Sequence, residues 1–331
     1  MCNDVRVTKQ EVRNFLLINF GIISFLSIFI FINFFKLNNV DVISNFARTF
    51  MYIPAFSAII VLKGNQTYEF NNTVNKFFEI FIIATILRIV FSIFNVYIIN
   101  GFINSIMSCY TLYYGIKSFT EFKVLNLQLS KNFKKVLLCV SLYLVICMIE
   151  YFPEVSSLKF EISIFIENSV IVLLSLLENL VFGCIIFFGE EFGWRYFLQP
   201  RLQKLYGKKL GVIILGPIWG IWHLPLCMTL YSPQTPVYCI VNHLFLCTTL
   251  GVFLGYAYMK TENLWTPILI HLITNVFSVV FSFLSSGELE AVFTLRILLY
   301  SVLWNSVLYL PFLFAKVYRP NKDDIGVSID N

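Results

Sequence analysis

Charge is what this chain has least of. Of its 331 residues only 13% are Asp, Glu, Lys or Arg, where a soluble domain carries about a quarter. With 58% hydrophobic residues and a mean hydropathy of +0.78, polar groups are too few to cover a water-facing surface. That excludes a soluble globular enzyme, a disordered chain and a nucleic-acid binder. Histidine is scarce, with only His223, His243 and His271, and no H-E-x-x-H metalloprotease signature is present. The eight cysteines (Cys2, Cys109, Cys139, Cys147, Cys184, Cys227, Cys239 and Cys247) include no C-x-x-C pair. All but Cys2 lie in apolar stretches and read as small buried hydrophobes, not as a disulfide framework or a zinc cluster. There is no internal repeat, long linker or low-complexity tract.

What is present is apolar sequence in long runs. A bilayer core takes about 20 apolar helical residues, and only helices and closed barrels satisfy the backbone in lipid. The expected fold is therefore an all-α polytopic membrane helix bundle. Runs at 14–35, 50–62, 135–152, 162–189, 210–230, 238–259, 264–284 and 295–315 predict eight transmembrane helices. The first run is too long for a signal-peptide core and no A-x-A site follows it, so it is retained as a span. The stretch 78–116 is broken by Arg88, Asn95, Asn100 and Gly101, and is an extra hairpin that crosses twice or re-enters. Lys and Arg crowd the loops at 117–135 and 195–209 and the C-terminal tail, whereas 231–237 and 285–294 have neither. The positive-inside rule makes the first three cytoplasmic, with both termini inside.

Polar residues inside a membrane are costly, which makes them informative. The densest group is Glu190-Glu191-Phe192-Gly193-Trp194-Arg195, at the predicted cytoplasmic end of its span. Glu191 and Arg195 are four apart and form an ion pair on one helix face, leaving Glu190 for another partner. His223 follows in Gly216-Pro217-Ile218-Trp219-Gly220-Ile221-Trp222-His223-Leu224-Pro225, where glycines allow close helix approach and the prolines interrupt the helix. His271 and Asn275, four apart after Trp265, share a face of a third helix. Each element alone is also what helix packing uses. Together they supply a carboxylate, two imidazoles and an amide from three helices. A carboxylate with an imidazole activates water, and a second imidazole with an amide stabilises an oxyanion. The same donors are alternatively a metal set of Glu190, His223 and His271, which suits zinc.

These three blocks, EEFGWRYFLQPRL, GPIWGIWHLPL and NLWTPILIHLITN, resemble the signature of the CPBP intramembrane proteases. That family comprises the type II CAAX prenyl endopeptidases and their bacteriocin-processing and immunity relatives. Glu190, Glu191 and Arg195 match E-E-x-x-x-R; Trp219 and His223 match the second block, with Trp where Phe is commoner; His271 and Asn275 match the third. The resemblance covers about 162–284 and implies a helical fold with a polar chamber open to the cytoplasm. It implies Glu190 as the general base, His223 assisting, His271 and Asn275 as oxyanion donors, and Glu191 with Arg195 in support. Members have been described both as zinc enzymes and as metal-independent glutamate proteases; Asn275, a poor metal ligand and a good oxyanion donor, favours the latter. On this reading 1–134 holds N-terminal membrane helices and loops, 135–317 is the catalytic membrane core and 318–331 a cytoplasmic tail.

The implied activity is an endopeptidase acting on a peptide or membrane-protein substrate at the bilayer, and no nucleic acid is involved. Abundant Phe, Ile, Asn and Lys hint at a low-GC bacterium and its plasma membrane. The alternative is a non-catalytic immunity or scaffold protein of the same fold. A transporter would show inverted repeats, which the sequence does not have. Four features stand outside the blocks. His243 is expected to pack or sit at the interface. Glu167 and Glu178 are odd inside an apolar helix, and Glu178 is expected to bond to a neighbouring helix with help from Asn179. Arg88 is expected to pair with Glu79 or to be interfacial. The pattern at Asn65 and Thr67 matches a glycosylation acceptor but falls in a loop expected to be cytoplasmic.

Overall fold

In the computed structural model the described residues are 2–37, 39–65, 68–117, 120–157, 162–286 and 291–319, with side chains described except at 2–3, 151–168 and 281–286. Among them the regular structure is helical, without strands. In chain order the α-helices are α1 (Cys2–Ile32), α2 (Val40–Phe50), α3 (Ile53–Gly64), α4 (Asn72–Ile93), α5 (Tyr97–Lys117), α6 (Phe133–Ser157) and α7 (Ile162–Glu178). They continue with α8 (Cys184–Glu191), α9 (Gln199–Tyr206), α10 (Lys208–Trp222), α11 (Leu224–Leu226), α12 (Pro236–Thr261), α13 (Trp265–Ser286) and α14 (Leu295–Tyr309).

Five helical stretches among the described residues are long and apolar enough to cross a bilayer: Asp4–Leu37, Val40–Gly64, Ser169–Tyr206, Pro236–Thr261 and Leu295–Phe314. A sixth counts if Lys208–Trp222 and Leu224–Tyr231, bent by 43° at His223, are one span. Among the described residues the expectation of eight is thus confirmed for five stretches, or six with the bent pair. The helix predicted at 264–284 is α13, with side chains described as far as Val280. The 135–152 run lies in α6, with side chains described as far as Glu150. The 50–62 run joins α2 into one 25-residue stretch, with Pro54 at the start of α3, where its missing N–H has no helical partner anyway. The doubtful 78–116 region forms two long helices, α4 and α5, which pack together and turn at Asn95 in a left-handed conformation (φ 59°). The charges at Lys76, Glu79 and Arg88 keep α4 from reading as a simple apolar span.

The segment before the first apolar run is helical from Cys2 onward. It lies beside α9, where Lys204 pairs with Asp4 (2.6 Å) and Arg201 with Glu11 (2.8 Å). Glu11 also accepts from Asn65 Nδ2 at 2.7 Å. At the same end the basic loop before α6 is locked to the α12–α13 turn. Asn132 donates to the Thr261 carbonyl (2.8 Å), Asn263 to that of Lys131 (2.7 Å) and Trp265 Nε1 to that of Leu127 (2.8 Å). The loops at 231–235 and 291–293 meet through Ala291 N–H donating to the Tyr231 carbonyl (3.0 Å) and Phe293 N–H to Thr235 Oγ1 (2.9 Å). The two loops without Lys or Arg thus meet each other.

Candidate active site

The first signature block does not end a helix. α7, α8 and α9 run into one another through π turns at Asn179–Gly183 and Phe192–Leu198, so Glu190 and Glu191 lie inside a stretch continuing to Tyr206. The helix itself thus continues past Glu190, and Glu191 and Arg195 pair within it and not at a helix end. π turns widen a helix by one residue and are frequent at functional sites. Here they bracket α8, whose every residue is buried. At Gly193 a Cβ would strike the Pro54 backbone, so glycine is what lets α3 lie against the second π turn.

Glu190 is 1% exposed. Its Oε2 accepts from Trp219 Nε1 at 2.7 Å and from Trp194 Nε1 at 3.3 Å. Among the described residues Oε1 has no protein donor. Two indoles thus hold one carboxylate oxygen and leave the other for a further ligand. Trp219 comes from the last turn of α10, which closes on α12 at Gly220, where a Cβ would press on the Leu244 backbone. The indole of Trp219 lies against both histidines, with centroids 5.9 Å from His223 and 5.5 Å from His271, and under the Arg195 guanidinium at 4.6 Å. Sequence reading took Trp219 as a variant of the block's aromatic position; the structure makes it the centre of the cluster.

His223 ends α10, at the 43° bend, with Pro225 opening the next turn. Its Nδ1 is 3.0 Å from the Trp219 carbonyl. A carbonyl only accepts, so Nδ1 carries the proton and Nε2 keeps its lone pair. His271 is oriented in the same sense. Its Nδ1 donates to Glu191 Oε1 at 2.7 Å, which leaves Nε2 without a partner among the described residues. Glu191 is fully buried, and its Oε2 lies 3.2 Å from Arg195 Nε. The angle is too poor for a hydrogen bond, so the expected i,i+4 pair is electrostatic in kind, and no Arg195 nitrogen has a hydrogen-bond partner among the described residues. Glu191 therefore steers both the guanidinium and the His271 ring. Asn275 is one turn beyond His271 on α13, half-buried, and no described residue hydrogen-bonds its side chain.

The zinc alternative does not fit the donor placement: among the described residues Glu190, His223 and His271 do not bring three ligand atoms within 4.8 Å of one another. A different group does, formed by Cys227, Cys239 and His243. His243 packs as expected, with its ring 5.2 Å from that of His223 and stacked on Tyr231 at 5.1 Å. The other outlying expectations change. Glu178 is exposed, and Asn179 donates to the Ser175 carbonyl on its own helix (2.9 Å) instead of helping it. Glu79 pairs with Lys63 at 3.0 Å, while Arg88, 1% exposed, joins a neutral network. The side chain of Glu167, residues 66–67 and residues 320–331 lie outside the described set.

A buried carboxylate, two oriented imidazoles and a guanidinium gathered from three apolar helices define the class as a polytopic membrane protein with an intramembrane polar centre. More narrowly, residues 172–277 match the family model of the type II CAAX prenyl endopeptidases, described as Rce1-like. The match spans all three signature blocks and makes this part of the chain an Rce1-like region of the CPBP intramembrane-protease kind. No curated protein and no solved structure matches the chain.

Proposed function

We propose that this chain is an intramembrane endopeptidase that hydrolyses peptide bonds near the cytoplasmic side of a bacterial plasma membrane, with both termini cytoplasmic. Glu190 is the general base. Its Oε2 is fixed by two indoles, so Oε1 takes the water that attacks the scissile carbonyl. His223, protonated at Nδ1, presents Nε2 to the same water and shares the proton. His271, held by Glu191 in one orientation, turns its Nε2 side to the developing oxyanion, with Asn275 as the second donor. For that role His271 donates from Nε2 while Nδ1 donates to Glu191. Arg195 balances the second carboxylate from the far side of Trp219. The observation that carries this reading is the oriented pair of histidines around Trp219, each with Nδ1 tied and Nε2 free, beside a carboxylate with one oxygen free.

Depth of burial favours a second reading, a non-catalytic immunity or scaffold protein of the same fold, since Glu191 and Arg195 are sealed from solvent. One experiment separates the two. The purified protein and its Glu190→Gln variant are incubated with prenylated and unprenylated peptides ending in a CAAX sequence, and products are read by mass spectrometry. Release of the C-terminal tripeptide by the wild type alone supports the protease. No cleavage of any peptide, followed by a membrane proteome that is unchanged in Glu190→Gln cells, overturns it in favour of the scaffold.

A further inference from the structure

A second cluster lies next to His223 and belongs to none of the three blocks. Cys227 comes from the π turn Cys227–Tyr231 that follows the bend, and Cys239 and His243 come from the first turns of α12. Their ligand atoms all lie within 4.8 Å of one another, and Cys239 Sγ is 3.8 Å from His243 Nδ1. Around a tetrahedral zinc, with Zn–S of about 2.3 Å and Zn–N of about 2.0 Å, neighbouring donors are roughly 3.5–3.8 Å apart. The donors thus already stand close to ligand spacing without a metal between them. Both sulfurs are buried and both are free thiols. Cys239 and His243 are four apart on a regular helix, which puts their side chains on one face. His243 is fixed by stacking on Tyr231, so its ring has little freedom to lose on binding.

From this geometry we propose that Cys227, Cys239 and His243 form a zinc site distinct from the Glu190 centre. Two thiolates and an imidazole are a soft to borderline donor set, which favours zinc over magnesium or calcium. Binding displaces the two thiol protons to solvent, and the bound water that completes the tetrahedron is the fourth ligand. The metal ties the segment after the His223 bend to α12. That bend is otherwise anchored to α12 by apolar packing and by the 3.9 Å contact of Cys247 Sγ with His223 Nδ1. The site is thus a positioning device for His223, and its occupancy is measurable whether or not the protein cleaves peptides.

The test is metal content of the full-length protein in detergent. Wild type, Cys239→Ser, His243→Ala and Glu190→Gln are each equilibrated with zinc under mild reductant, dialysed, and assayed by mass spectrometry of the metal. In parallel, cobalt is added and the thiolate-to-cobalt absorption is recorded. The expected result is about one tightly held zinc per chain in wild type and Glu190→Gln, with a thiolate–cobalt band. Cys239→Ser and His243→Ala should bind at least tenfold more weakly and lose that band, while eluting as folded, monodisperse proteins. Should Cys239→Ser not fold, His243→Ala carries the test. Three results overturn the proposal: no retained zinc in wild type, equal retention in Cys239→Ser and His243→Ala, or loss of zinc in Glu190→Gln alone, which would move the metal to the catalytic cluster. A Cys227–Cys239 disulfide peptide from zinc-equilibrated wild type would also overturn it.

Discussion

Of the buried polar clusters among the described residues, two are built to opposite ends. In the N-terminal half, Asn45, Thr49, Arg88, Ser92 and Asn100 from α2, α4 and α5 bond to one another. Arg88 donates to the Asn100 carbonyl (2.7 Å), and Asn100 Nδ2 donates to Ser92 Oγ (2.9 Å) and Asn45 Oδ1 (3.2 Å). Asn45 Nδ2 reaches Ser92 Oγ at 3.1 Å, and Thr49 Oγ1 lies 2.9 Å from it. The Arg88 guanidinium also stacks over Tyr52 at 4.6 Å. Most of its donors and acceptors are satisfied by neutral neighbours, so the cluster holds helices together in a medium where unpaired groups are expensive. The C-terminal cluster does the reverse. It ties one atom of each reactive side chain and leaves the other unpartnered, at Glu190 Oε1, His223 Nε2 and His271 Nε2. Burial of polar groups alone does not mark a site; what marks it is orientation without saturation.

The largest effect should come from Glu190→Gln, which keeps shape and both indole contacts but removes the base. Cleavage should fall by about 10²–10⁴-fold, the range for loss of a positioned general base, with thermal stability in detergent nearly unchanged. A variant that cleaves normally would make the C-terminal cluster structural, like its N-terminal counterpart. Next is Trp219→Phe. It keeps an aromatic ring against both histidines and deletes the 2.7 Å bond to Glu190. Hydrogen bonds to charged groups are worth about 1.5–3 kcal/mol, so kcat should drop about tenfold to a hundredfold with little change in KM. An unchanged kcat would show that Trp194 alone holds Glu190.

How much of this was legible beforehand follows from the same contrast. Glu, His and Arg are rare in this chain, so the C-terminal cluster could be seen as three spaced blocks, and the structure brings their helices together. Trp219 matches the aromatic position of the second block, but a sequence gives no sign that its indole N–H points at a carboxylate. Asn, Ser and Thr are common in the chain, so nothing distinguished Asn45, Ser92 and Asn100. That is why Arg88 was assigned to Glu79, the nearest acid on its helical face. Cys227 and Cys239 are twelve residues apart across a turn and form no compact motif. The Cys239-x-x-x-His243 spacing was the available hint. Helix existence followed from apolar runs, but the bend at His223 and the pairing of α4 with α5 did not, because run length says nothing of where a helix breaks.

The third prediction turns to the N-terminal cluster. Arg88→Gln removes the donor to the Asn100 carbonyl and the cation over Tyr52, and should lower stability by about 2 kcal/mol, read as a lower unfolding midpoint in detergent. If folded material is compared at equal concentration, kcat should be within about twofold of wild type, since Arg88 contacts none of the catalytic side chains. A large loss of kcat at intact stability would mean that the two clusters are coupled.

The smallest effect, and the sharpest check of saturation, is Ser92→Ala. Ser92 Oγ is the shared partner of Asn45, Thr49 and Asn100, at 3.1, 2.9 and 2.9 Å. Removing it takes one hydrogen-bond partner from each of the three, in a site where Ser92 itself is 0% exposed. Asn100 retains its bonds to Asn45 and to the Arg88 carbonyl (3.2 Å each), and Thr49 retains its bond to the Asn45 carbonyl (3.1 Å). Only Asn45 Nδ2 loses its one donor contact. The expected loss is therefore about 1 kcal/mol, the cost of a single neutral hydrogen bond, with activity unchanged. A loss several times larger would show that the cluster acts cooperatively, each bond polarising the next, and that its stability resides in the network instead of in Arg88.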